Sequence, residues 1–161
     1  MKISRLMSLS YPLTAFLLGM FVFLYACGND ENNDDQKLIS FLSKNKHYRS
    51  DAKVFVFIPL SGGCGGCTQS AIAFLKENYQ NPKIQFIVSN TTLKGVKLSL
   101  NGPILNSNLV LSDVGEEAIN QGIVNVFPLI VYVTNNHINR RIRVDASNLR
   151  QEFDIVSNLI Y

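Results

Sequence analysis

A continuous apolar run, Val54-Phe55-Val56-Phe57-Ile58-Pro59-Leu60, passes through Ser61-Gly62-Gly63-Cys64-Gly65-Gly66-Cys67 into Thr68-Gln69-Ser70-Ala71-Ile72-Ala73-Phe74-Leu75-Lys76-Glu77-Asn78. β-Branched and aromatic residues dominate the run, and no polar side chain interrupts it. That pattern predicts a strand covered on both faces, in the centre of a sheet flanked by helices. Pro59 marks its end, because proline has no N–H for a ladder. Beyond the glycines, Cys67, Ala71, Phe74 and Leu75 share one helical face, so the CxxC opens a helix that packs on the sheet.

The rest of the chain alternates in the same way. Leu38, Ile39, Phe41 and Leu42 recur at helical spacing and predict a short amphipathic helix over 35–47. Residues 83–89 and 108–111 read as second and third strands, with a loop containing Asn101-Gly102-Pro103 between them. Asp113-Val114-Gly115-Glu116 has the pattern of a helix start, so 115–121 is a short helix ended by Gly122 and Asp113 is its cap rather than a catalytic acid. Residues 127–133 form an apolar strand containing Pro128, Asn135-Asn136-His137 turns the chain, and 138–144 returns. An amphipathic helix over 147–160 closes the chain with Leu149, Phe153, Val156 and Ile160 on one face. Strands alternating with helices argue a parallel core, and the final hairpin makes the sheet mixed, so the fold class is α/β. Phe55, Phe57, Phe86 and Phe127 read as core, His47 and His137 as solvent-facing, and Asn139-Arg140-Arg141-Ile142-Arg143 as a charged edge strand that discourages aggregation.

The chain has 161 residues, enough for one domain with a real core, and 17% of them are charged, which excludes global disorder. A net charge of +3 is too small and dispersed to imply a nucleic-acid partner.

Lys2 and Arg5 precede a charge-free stretch over 6–29, a basic segment followed by an apolar one of signal-peptide length. Leu24-Tyr25-Ala26-Cys27 resembles the lipobox of bacterial lipoproteins, although Tyr25 is bulkier than the usual residue there. The resemblance implies a signal peptide over 1–26, lipidation at Cys27, an acidic tether over 27–36 and a folded domain over 37–161. The same apolar stretch is long enough to be an uncleaved transmembrane helix. Either reading places the domain outside the cytoplasm, on the periplasmic or surface-exposed side of the cell envelope, because the basic residues stay inside.

Of three cysteines, Cys27 is then used for lipid, which leaves Cys64 and Cys67. Zinc or an iron–sulfur cluster needs about four soft or imidazole ligands, and with no second CxxC and two separated histidines no metal site is expected. Covalent haem needs histidine after the second cysteine, and position 68 is Thr. A purely structural disulfide is a poor use of a two-residue gap, which closes almost no loop. Thiol–disulfide exchange fits better. A cysteine at a helix N-terminus sits among unpaired N–H groups and the positive end of the dipole, which favour its thiolate. Cys64 is placed to attack, and Cys67, one turn on and on the buried face, to resolve the mixed disulfide.

Strand, CxxC at a helix start, and Val126-Phe127-Pro128 before a core strand together resemble the thioredoxin superfamily over about residues 50–160. The extra strand and Leu111-Ser112-Asp113 before the short helix resemble its membrane-tethered TlpA-like and peroxiredoxin-like branch. The resemblance implies a thioredoxin-like fold in which the proline matching Pro128 is cis and lies beside the CxxC. It also implies that Phe127 offers its N–H and C=O to an extended substrate, with Gly65 and Gly66 lining the same place. Protein dithiols or disulfides are the implied partners, with a membrane electron donor as a further one, and no cofactor is needed. Three positions depart from the pattern: Gly63 replaces the aromatic residue before the first cysteine, Ile58 replaces the buried carboxylate of thioredoxin, and Ser70 stands where some TlpA-like proteins have glutamate. Two readings therefore stand: a lipid-anchored thiol–disulfide oxidoreductase, or a redox-inactive thioredoxin-fold lipoprotein that binds a peptide or partner.

Overall fold

The structure is a computed structural model that describes residues 30–44, 48–135 and 137–160; the side chains of residues 30–33 and 160 lie outside the description. The chain divides at Gln36. Before it, the described residues belong to the opening of a helix, α1 (Asp30–Lys44), and from Lys37 onward the chain forms one compact unit. The predicted signal peptide, Cys27 and His47 all lie outside the described residues.

After α1 come β1 (Val54–Pro59), α2 (Gly65–Asn78), β2 (Ile84–Asn90), α3 (Leu93–Ser99), α4 (Gly102–Leu105), β3 (Val110–Val114), α5 (Glu117–Asn120), β4 (Leu129–Thr134), β5 (His137–Arg143) and α6 (Leu149–Ile160). The five strands make one sheet of order β3-β2-β1-β4-β5. β1, β2 and β3 are parallel, with Val54 opposite Ile84 and Phe86 opposite Val110. β4 runs antiparallel to β1, with Phe57 opposite Leu129, and β5 antiparallel to β4. The apolar run thus lies at the middle of a mixed sheet and all six residues of β1 are buried.

Alternation along β1 divides the core into two layers. Val54, Val56 and Ile58 face Ala71, Phe74 and Leu75 of α2 and Phe153 and Val156 of α6. Phe55 and Phe57 face Leu38, Phe41 and Leu42 of α1 and Ala118 of α5. Each such aliphatic or aromatic side chain contributes roughly 1.5–3 kcal/mol by leaving water. Phe74 stacks on Phe153 with ring centroids 4.6 Å apart, fixing α2 against α6. Gln85, fully buried within β2, is satisfied by the Arg49 N–H, which donates to its Oε1 at 3.0 Å.

Several boundaries differ from the sequence-based expectation. α1 starts at Asp30 rather than residue 35. The segment between β2 and β3, expected as a loop, carries α3 and α4, of seven and four residues, too short to show a hydrophobic period. Local chemistry starts both: the Thr92 side chain accepts from the Gly95 N–H at 3.1 Å, and Pro103 sits in the first turn of α4. β3 runs on through Ser112 and Asp113 because Ser112 faces out while the Asp113 carboxylate is bound internally. Asp113 accepts from Ser89 Oγ at 2.7 Å, Glu117 N at 2.9 Å and Ala118 N at 3.1 Å, which is the helix-capping role expected of it. β5 is an edge strand, with Arg140 and Arg143 exposed along it and His137 exposed at its start.

Candidate redox site

The carboxyl ends of β1, β2 and β3 and the start of β4 meet at one edge of the sheet, since β4 runs opposite to the other three. The order β3-β2-β1-β4-β5 sends the chain from β1 to one side, and β4 returns on the other. That is where open α/β sheets hold their ligands. The CxxC stands on this edge because Pro59 ends β1 and the glycines that follow let the chain turn sharply into α2.

Two loops press together there. Gly63 N donates to Val126 O at 3.1 Å, and a Cβ on Gly62 would stand 2.3 Å from the same oxygen, so only glycine fits at 62. Thr68 Oγ1 donates to Pro59 O at 3.3 Å, tying the first turn of α2 back to the end of β1. Cys64 is the N-cap of α2: its sulfur accepts from the Cys67 N–H at 3.3 Å, and its carbonyl accepts from Thr68 N at 3.0 Å. Cys64 and Cys67 form a disulfide with S–S 2.02 Å and Cα atoms 5.3 Å apart. Cys64 is half-buried, whereas Cys67 is 2% exposed among the residues that hold α2 to the sheet. Gly65 and Gly66 are exposed, and a Cβ on either would meet nothing within 4 Å, so the turn over the disulfide is bare backbone.

Pro128 is buried directly before β4, and its carbonyl accepts from Val144 N at 2.8 Å. The Phe127–Pro128 bond is trans, as is every peptide bond among the described residues, which corrects the cis geometry that the resemblance implied. The trans form is the ordinary preference of an X–Pro bond, and a proline just ahead of a strand sacrifices no ladder hydrogen bond. Phe127 N donates to Asn125 Oδ1 at 3.2 Å, so this N–H, expected to be offered to a substrate, has an internal acceptor. Phe127 also differs from the expected core position. It is half-buried and lies under the Arg143 guanidinium, whose carbon is 5.1 Å from the ring centroid, because its strand begins only at Leu129. Ile58 is fully buried in the apolar layer beside α2, and Ser70 is half-buried on α2.

Two neighbours of the site escaped sequence reasoning. Val126, 44% exposed, lays its side chain 3.4 Å from where a Gly63 Cβ would be. Glu116, at the N-cap of α5, accepts a hydrogen bond from Ser61 Oγ. A Gly115-Glu116 turn is visible in sequence, but nothing local connects it to a serine 55 residues earlier.

A mixed five-stranded sheet flanked by helices, with a CxxC disulfide at the head of the helix that follows the central strand, is a thioredoxin-like α/β fold. No family model matches the chain, and no curated protein matches it. Among solved structures, the chain is similar to a secreted Mycobacterium tuberculosis disulfide oxidoreductase described as homologous to E. coli DsbE. The two share 16% identity over 64% of this chain and 81% of that one, with a TM-score of 0.41. Among the described residues no helix is long and apolar enough to cross a membrane.

Proposed function

We propose that the chain is an extracytoplasmic thiol–disulfide oxidoreductase of the TlpA-like kind, anchored to the membrane by lipid at Cys27 and exchanging disulfides with protein cysteines through Cys64 and Cys67. The observation that carries this reading is the asymmetry of the pair: Cys64 is half-buried and its sulfur accepts a helix N–H, whereas Cys67 is 2% exposed. In the reduced protein the same N–H and the dipole of a 14-residue helix stabilise a thiolate at Cys64.

The Cys64 thiolate attacks one sulfur of a partner disulfide, forming a mixed disulfide and expelling the partner's other sulfur as thiolate. Cys67, losing its proton to solvent, attacks the Cys64 sulfur, closes the Cys64–Cys67 bond and releases the second partner thiolate. Two electrons pass to the partner, whose thiolates take up two protons. With partner and chain exchanged, the same steps run in reverse. The bare Gly65-Gly66 turn lets a polypeptide approach the Cys64 sulfur, and the loop of Phe127 and Pro128, which meets Gly62 and Gly63 through Val126, would be its other wall.

The internal bond from Phe127 N to Asn125 favours a second reading, a redox-inactive module that binds a peptide or partner and keeps the disulfide closed. Trapping separates the two. Cys67→Ser is expected to accumulate mixed disulfides through Cys64 in the cell envelope, and Cys64→Ser to accumulate none. An empty Cys67→Ser trap overturns the oxidoreductase reading in favour of the binding module.

A further inference from the structure

The loop that leads into the cysteines is tied to a distant turn. Ser61 Oγ donates to the Glu116 carboxylate, and Glu116 holds φ at +57°, which a side-chain-bearing residue seldom adopts. It follows Gly115 at φ +92°. The turn is fixed from several directions: Gly115 N donates to Asn90 O at 2.9 Å, Asn120 Nδ2 donates to Gly115 O at 2.9 Å, and Asp113 binds the N–H groups of Glu117 and Ala118. Backbone strain of this kind persists only where the surroundings over-determine it, and it collects at functional positions. The result is that one carboxylate is turned to Ser61, three residues before Cys64, whereas the adjacent Glu117 is exposed and bound by Gln121 Nε2 at 2.6 Å.

We propose that Glu116 is a positioning residue of the redox site: held by Ser61, its negative charge opposes ionisation of Cys64 and keeps the Cys64–Cys67 couple reducing. This rests on the oxidoreductase reading and adds to it the group that sets the direction of exchange. Reduction of the disulfide takes two electrons and two protons, and the product that the helix amides favour is a Cys64 thiolate. A carboxylate held on the loop that leads into the CxxC disfavours that thiolate and so shifts the balance back toward the disulfide.

The measurement is the equilibrium of the full chain with glutathione, at an alkaline pH where Cys64 ionises, for the parent and three variants. Glu116→Gln keeps an acceptor for Ser61 and loses the charge, and it is expected to shift the equilibrium toward the dithiol about three- to tenfold. Tenfold corresponds to about 30 mV for a two-electron couple. Ser61→Ala frees the carboxylate into solvent and is expected to shift it the same way by less, and Glu117→Gln is expected to leave it unchanged. A Glu116→Gln constant equal to the parent's overturns the proposal, as does an equal shift in Glu117→Gln. If thermal unfolding shows that Glu116→Gln has lost its fold, Ser61→Ala decides alone, and an unshifted constant there is fatal. Glutathione needs no physiological partner, so the failures separate: an empty Cys67→Ser trap removes protein exchange and leaves this shift standing, while a filled trap with an unshifted Glu116→Gln removes Glu116 alone.

Discussion

Gly62 approaches Val126 so closely that a Cβ at position 62 would stand 2.3 Å from the Val126 carbonyl oxygen, the oxygen that also accepts the Gly63 N–H. The loop before the CxxC and the loop before Pro128 are therefore one packed unit, and the glycines of the motif are not equivalent. Gly62→Ala must push backbone against backbone and is expected to cost about 1–3 kcal/mol. Gly66→Ala, in the first turn of α2 with open space around the new methyl, is expected to stabilise by about 0.5–1 kcal/mol. Urea denaturation of the oxidised variants compares them, and equal effects at the two positions would contradict the close approach.

Asp113 gathers three donors, from Ser89, Glu117 and Ala118, at a position 8% exposed. Asp113→Ala leaves them without their acceptor and is expected to lower stability by about 1–3 kcal/mol. Because α5 precedes the Val126–Pro128 loop in the chain, amide exchange of residues 117–120 should accelerate more than that of β1. Uniform acceleration would argue that Asp113 supports the whole sheet instead.

The Phe74–Phe153 stack joins the helix that carries Cys67 to the last helix of the chain, at an interplanar angle of 19°. Phe153→Ala is expected to cost about 3–5 kcal/mol. A double-mutant cycle with Phe74→Leu should return a coupling of about 0.5–1.5 kcal/mol, the excess that an aromatic pair gives over simple burial. Additive effects would show that the two rings merely fill space.

Tyr132 gives the fold an alkaline sensitivity. Burial raises its pKa above the ordinary tyrosine value near 10, Glu152 adds to the rise and Arg140 opposes it. A raised folded value means that the unfolded chain ionises first, so the contribution is intact below pH about 10 and is lost as pH climbs through the folded value. The hydroxyl also meets no hydrogen-bond partner among the described residues. Tyr132→Phe is accordingly expected to raise stability at neutral pH by about 1 kcal/mol and to flatten the decline above pH 10. Denaturation midpoints from pH 7 to 11 test both, and a neutral-pH loss would mean that the hydroxyl is satisfied.

Much of the fold is legible in the chain because its strongest signals are periodic. β1 announces itself by an unbroken apolar run, α2 and α6 by apolar positions three and four apart, and the capping role of Asp113 by its spacing from α5. The elements absent from the sequence reading, α3 and α4, start on one side-chain cap at Thr92 and on a proline in the first turn, and each buries a single side chain, Val96 and Ile104. The setting of Phe127 was misjudged for a related reason: an aromatic residue beside an apolar strand looks like core, yet Arg143 of the next strand decides what covers it.

The sequence by itself determined that a central strand runs into a CxxC at a helix start, because burial and helix periodicity are local properties of which residues stand next to which. Only the tertiary structure decided that Cys64 is left half-buried beside the buried Cys67, that Phe127–Pro128 is trans, and that Glu116 meets Ser61. The two sulfurs differ because of what covers each of them. Glu116 meets Ser61 because folding sets the ends of β1 and β3 on the same edge of the sheet. No spacing within the chain encodes those relationships, which belong to the packed sheet.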